Sequence, residues 1–152
     1  MRIRQATNKD APEIARLIET VLCEYGLTFD PEQTDADLDD IEACYLARGG
    51  IFEVVEDDDG AIIGSVGLYP LSATDCELRK MYLARSARGQ GLGKALIERM
   101  IEQAREQGYG RMVLETSSRL TLAIALYRQY GFTPYEPEHL ASRCDQAWEL
   151  AL

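Results

Sequence analysis

Apolar and polar positions along the chain change their period several times, and each change marks an element. Residues 2–6, RIRQA, alternate as a first strand. Asp10, Pro12 and Glu13 then mark a helix start, and Ile14, Leu17, Ile18, Val21 and Leu22 recur at helical spacing, which predicts a helix over about residues 11–25. Leu38, Ile41, Cys44 and Tyr45 keep that spacing inside an acidic stretch that closes on Gly49 and Gly50, predicting a second helix. Residues 51–57 and 61–71 are strand-like runs divided by an Asp-rich turn ending in Asp59-Gly60, a hairpin signal. Residues 76–84 form a third strand in succession, 91–107 a helix, 111–117 a strand and 120–130 a short helix, and residues 131–136 and 147–152 end the chain as strands.

The predicted order is β α α β β β α β α β β. Such an order gives an α/β fold of mixed type: about seven strands in a central sheet flanked by four helices. The first half of the sheet is antiparallel, and the crossover at residues 76–116 makes its two strands parallel neighbours. At 152 residues the chain is expected to form a single domain over residues 1–152. No apolar run reaches the ~18 residues of a membrane span, and the N-terminus lacks the apolar core of a secretory signal, so a cytoplasmic location without membrane contact is expected. Cys23, Cys44, Cys76 and Cys144 are too widely spaced for a metal or redox pair and read as small buried hydrophobes; no metal is indicated.

The net charge of −10 excludes nucleic acid as the main partner, because phosphate-backbone binding rests on clustered Lys and Arg. Its distribution is uneven. Asp30 to Asp59 contains many acids and one base, Arg48, whereas Leu78 to Ile97 contains Arg79, Lys80, Arg85, Arg88 and Lys94 and no acid. The basic island is centred on Arg88-Gly89-Gln90-Gly91-Leu92-Gly93-Lys94, between a strand and a helix. Unsatisfied N–H groups in a first helical turn, the helix dipole and glycines that let a ligand approach the backbone together make an anion site, best suited to a pyrophosphate. A nucleotide-binding P-loop is excluded because Ala95 follows Lys94. The dinucleotide fingerprint is also missed, since Lys94 stands where its third glycine belongs, although Glu115 imitates its ribose-binding acid.

The stretch from Glu77 to Ser117, followed by AIALYRQYGF, resembles the Gcn5-related N-acetyltransferase (GNAT) superfamily, with Arg88, Gly91 and Gly93 in its Arg/Gln-x-x-Gly-x-Gly/Ala signature. The resemblance implies an acetyl-CoA-dependent N-acetyltransferase whose acyl donor lies where strands 76–83 and 111–116 part. It implies that amides of Arg88, Gly89, Gln90, Gly91, Leu92, Gly93 and Lys94 hold the pyrophosphate. The pantetheine arm would pair with the backbone of Met81, Tyr82 and Leu83, and an amide there would polarise the thioester carbonyl. Tyr127 matches the family's general acid; the competing role is a core aromatic, because Ala123, Leu126 and Tyr130 share its helical face. Glu77 matches the general base of Gcn5-type members, with pairing to Arg79 as the competing role. A family asparagine is replaced by Leu120, so Ser117 or Ser118 would have to supply its contact. His139 reads as a loop residue without a role. The acceptor, a primary amine of a small molecule or protein, would lie against residues 22–46 and the last strands, where the acidic stretch would favour a cation or serve only as a solvated face. A non-catalytic acyl-CoA-binding module and a dinucleotide-binding protein are the alternatives, and a homodimer through the edge of the sheet is compatible with the pattern.

Overall fold

The computed structural model describes residues 1–152. Strands β1 (Arg2–Gln5), β2 (Ile51–Glu56), β3 (Ile62–Pro70), β4 (Asp75–Leu83), β5 (Arg111–Thr116), β6 (Thr133–Tyr135) and β7 (Gln146–Ala151) form one sheet in the order β1-β2-β3-β4-β5-β7-β6. The helices are α1 (Ala11–Glu24), α2 (Ile41–Cys44), α3 (Leu92–Glu106) and α4 (Thr121–Gln129). All neighbouring strands are antiparallel except β4 and β5, which are parallel and joined by a crossover through α3.

Local sequence explains most of these elements. Asp10 accepts the Thr7 N–H in a capping box and Pro12 sits in the first turn of α1, whose Ile14, Leu17, Ile18, Val21 and Leu22 are all buried. In α3 the buried stripe is Leu96, Ile97, Met100, Ile101 and Ala104. The hairpin between β2 and β3 turns on Asp57, whose carboxylate accepts the N–H groups of Asp59 and Ala61.

Two expectations need correction. The helix expected across Leu38 to Tyr45 is broken into a 3₁₀ turn at Ala36–Asp40, the single α-turn α2, and a second 3₁₀ turn at Leu46–Arg48. Adjacent acids repel along a helix, and their short side chains compete for backbone N–H groups: Asp40 accepts from Ala43, and Asp30 from Gln33 and Thr34. The apolar period still reported burial correctly, since Leu38, Ile41 and Tyr45 all enter the core. The four cysteines are free thiols, but only Cys76 is buried; Cys44 and Cys144 are half-buried and Cys23 is exposed.

The core has two parts, one on each face of the sheet. Helices α3 and α4 cover Val66, Leu68, Leu78, Met112, Leu114 and Trp148, while α1 and α2 cover Phe52, Val54 and Ile62. Two irregularities then shape the middle of the sheet. β4 and β5 pair only over Asp75, Cys76 and Glu77 with Arg111, Met112 and Val113, after which they separate. Just beyond that point β4 carries a bulge: Gly67 faces Arg79 but Ser65 faces Tyr82, so β4 holds one extra residue. Lys80 adopts a left-handed φ of 53°, and the Ser65 hydroxyl donates to its carbonyl at 2.7 Å.

Candidate active site

The parting of β4 and β5 opens a cleft of about 610 Å³, within the usual size of small-molecule sites. One end is the glycine loop. Gly89 and Gly91 have φ of 75° and 80°, and a side chain at either would project into open space. The first backbone bond of the α3 start runs from Ala95 to Gly91, so the N–H groups of Gly89, Gln90, Gly91, Leu92, Gly93 and Lys94 have no partner in the protein. Six free donors at a helix N-terminus fit a diphosphate.

Arg88 differs from expectation. Its guanidinium pairs with Glu24 at 2.8 Å and donates to Leu83 O at 2.9 and 3.1 Å, while its N–H bonds Arg85 O. Arg88 therefore ties α1 and the end of β4 to the loop, and it leaves Leu83 O no room for a ligand. Gln90 folds back onto Ser86 O and Leu92 packs on the core; contrary to expectation the side chains of both lie outside the cleft lining, and they offer only their amides. Along the cleft wall Met81, Tyr82 and Leu83 present backbone that no strand covers on the β5 side.

The other end of the cleft gathers the titratable groups. Tyr127, on the buried side of α4, lies against Phe132 and reaches the gap from the α3 face. Burial, with Tyr82 and Cys144 close by, raises its pKa well above the ordinary value, so the phenol stays protonated, and its hydroxyl makes no hydrogen bond within the protein. From the opposite face come Glu77 and Glu115. Glu77 donates no proton to the protein but accepts one bond, from Arg79 Nε. Burial raises its pKa; Arg79 opposes this without cancelling it, and Glu115 adds repulsion. Glu115 accepts the Ala141 N–H at 2.7 Å and has no cationic partner. The sequence had offered Glu115 only as an imitation of a ribose ligand; its placement two residues past the partner of Glu77, on the same pleat, was the missed signal.

A buried ion cluster closes this end. Asp35, fully inaccessible at its side chain, accepts both Arg143 nitrogens and the Lys80 ammonium at 2.7 Å, and Lys80 also donates to Thr34 O. Burial alone would raise the Asp35 pKa, but Arg143 and Lys80 outweigh it and hold it low. The cluster fastens the α1–α2 connection and the β6–β7 loop to the β4 bulge, so it was this loop, through Ala141, Arg143 and Cys144, rather than the last strands, that completes the wall. Cys144 is pushed up to about 11 by burial and remains a thiol. Ser117 and Leu120 line the cleft, whereas Ser118 is tied to Asp145 at 2.7 Å, and His139 is exposed outside it.

A family model for the acetyltransferase (GNAT) family matches residues 14–132. The chain belongs to that family. The acetyltransferase is 44% identical over 135 residues to an uncharacterised N-acetyltransferase of Escherichia coli, YjgM, covering 86% of this chain and 80% of that protein. An uncharacterised N-acetyltransferase of Schizosaccharomyces pombe is 30% identical over 130 residues, covering 85% and 80% of the two chains. Among solved structures, a GNAT-family acetyltransferase from Staphylococcus aureus superposes with a TM-score of 0.92 at 23% identity, covering 99% of this chain and 98% of that one. YncA of Salmonella typhimurium, solved with its cofactor acetyl-CoA, gives 0.72 at 25% identity, covering 99% and 93%. The protein is accordingly an N-acetyltransferase by family, and the mixed seven-stranded sheet is the GNAT acyl-CoA N-acyltransferase fold; the dinucleotide and binding-module alternatives are not favoured. No helix is long and apolar enough to cross a membrane.

The ion cluster makes a stability prediction. Asp35→Ala leaves Lys80 and Arg143 buried without their shared partner and is expected to cost about 3–5 kcal/mol in urea unfolding. Because the folded pKa of Asp35 lies below its unfolded value, the wild-type advantage over the variant is full above an ordinary aspartate value of ~3.9 and shrinks as pH falls through the lowered one. An equal advantage at pH 2 and pH 7 contradicts the assignment.

Proposed function

We propose that the protein is a one-domain enzyme that transfers the acetyl group of acetyl-CoA to a primary amine. The observation that carries this reading is the row of six free amides at one end of a cleft whose other end holds the unbonded Tyr127 hydroxyl. The diphosphate lies on Gly89 to Lys94, and the pantetheine arm runs along the uncovered edge of Met81 and Tyr82, with the amide side of Leu83. Acetyl-CoA supplies the activated acyl thioester; the chain supplies position, proton transfer and charge stabilisation.

An amine arrives as ammonium, with a pKa of ~10 for a lysine-like group, and must lose a proton before it attacks. Glu77 takes that proton, directly or through water, and its raised pKa brings it nearer to the working pH. As the C–N bond forms, an amide of the bulged segment donates to the carbonyl oxygen, where negative charge develops. As the C–S bond breaks, the Tyr127 hydroxyl donates to the departing sulfur. Burial holds the phenol well above its ordinary value, so Tyr127 meets the sulfur protonated and gives up its proton as thiolate charge develops there. The second proton of the attacking nitrogen, lost as the C–S bond breaks, restores the Tyr127 phenol, and Glu77 passes its proton to water, leaving the N-acetyl amine and the free thiol as products.

Acetyl-CoA at 100 times its dissociation constant is expected to stabilise the fold by about 2.7 kcal/mol, a shift of several degrees in Tm. Gly91→Glu puts a side chain and a negative charge where the diphosphate lies; its left-handed φ adds only about 1–2 kcal/mol of strain, so the variant folds but loses the shift. A folded variant that still shows the wild-type shift refutes the loop assignment.

Tyr127→Phe keeps the buried ring and removes the hydroxyl. Thiol release with the acceptor is expected to fall by about 10²-fold or more while the acetyl-CoA shift stays. Glu77→Gln is expected to lose most near neutral pH and less as rising pH deprotonates the amine unaided. Wild-type turnover by Tyr127→Phe returns Tyr127 to the core, and a pH-independent loss in Glu77→Gln makes Glu77 a positioning group.

A further inference from the structure

At the acceptor end of the cleft, charge is unevenly consumed. Of its three cations, Lys80 and Arg143 are both absorbed by Asp35. Arg79 is not. It forms ion pairs with Glu77 and, at 3.9 Å from Nη1, with Asp37, but its Nε alone makes a hydrogen bond, to Glu77, and neither terminal nitrogen makes one. The guanidinium is nonetheless fixed. Its carbon lies 3.8 Å from the centroid of the Tyr69 ring, and Arg48 adds a second cation to that ring at 4.7 Å. Stacking occupies the flat face of a guanidinium and leaves its in-plane donors free, the geometry that suits a planar anion with two oxygens. The side chain is 29% exposed and lines the cleft, so these donors are reachable.

Glu115 is the counterpart with opposite sign, a carboxylate in the same cleft with one backbone N–H and no cation. Glu77, whose side chain shares the pleat of Arg79, stands two residues away from it, about 7 Å along the strand. The acids of the α1–α2 connection do not extend this into a polycation site: Asp30 and Asp40 cap turns, Asp35 is neutralised inside the protein, and Asp37, which lines the cleft, accepts the Tyr45 hydroxyl and lies 3.3 Å from the Lys80 ammonium.

We propose that the acceptor is a small amino acid, its ammonium received between Glu77 and Glu115 and its carboxylate by the free terminal nitrogens of Arg79. The inference rests on the acetyl-transfer reading and narrows its substrate class. It gives Arg79 a specificity role, and it disfavours polyamines, which offer no anion to the guanidinium.

The test pairs each amino acid of a panel with its decarboxylated amine. Thiol release from acetyl-CoA gives kcat/KM for both, and calorimetry gives their binding to the protein loaded with coenzyme A. Amino acids are expected to be preferred by about 10- to 100-fold, the range of a charge-assisted hydrogen bond. Arg79→Gln should abolish the preference within each pair, and Arg79→Lys, which keeps the charge beside Glu77 but loses the fork, should retain part of it; melting curves verify that both variants fold. Amines equal to or better than their amino acids, or a preference that survives Arg79→Gln, overturn the proposal. Amino acids that bind in an Arg79-dependent way without any thiol release uphold the anion site and refute acetyl transfer instead. Turnover of amines alone refutes the amino-acid inference and leaves acetyl transfer standing.

Discussion

The site depends on one interrupted interaction, the parallel pairing of β4 and β5 that stops after Glu77 and Val113. A continuous sheet separates its two faces. Here the gap lets Tyr127, held by the α3 and α4 core, meet Glu77 and Glu115, which belong to the α1 face. The same gap exposes a strand edge of β4 inside the molecule, where an extended ligand arm can take the place of the missing neighbour. It also lies directly above the glycine loop, because the crossover that makes the two strands parallel must begin with α3 at the end of β4. Anion site, strand edge and proton donor are thus consequences of one topology.

Holding a sheet open requires support, and the bulge and the ion cluster provide it. The extra residue in β4 turns Lys80 into the protein, where it meets Asp35, while Ser65 secures the bulged carbonyl. Arg143 reaches the same carboxylate from the far end of the chain. Replacing such a cluster by apolar groups often costs little, so its value lies in fixing where three segments meet, and the acceptor wall is built from those segments. Arg88 does the equivalent work at the opposite end, joining Glu24 and Leu83 O beside the loop.

Much of this was legible in the sequence. Seven strands, the βαβ unit and the glycine loop follow from period, from turn chemistry and from the run Gly89, Gly91 and Gly93, because each is set by neighbours in the chain. The position of Tyr127 and Glu77 in one cleft also followed from the resemblance. What the sequence did not show depends on distant partners. Nothing local says that Arg88 is claimed by Glu24, that Asp35 is withdrawn from an acidic run to meet residue 143, or that Arg79 keeps its terminal donors while Arg143 does not. The broken helix around α2 is intermediate: its apolar spacing was plain, but the outcome was decided by capping among close acids.

The central claim is that the free amides of the glycine loop hold the acyl donor beside the parted strands. Amide hydrogen exchange followed residue by residue tests it most directly, because the N–H groups of Gly89 to Lys94 have no protein partner. They should exchange rapidly in the free protein and become strongly protected with saturating acetyl-CoA, together with the cleft-facing amides of Met81 and Leu83. Protection elsewhere in the molecule, with Gly89 to Lys94 exchanging as fast as before, would contradict the account.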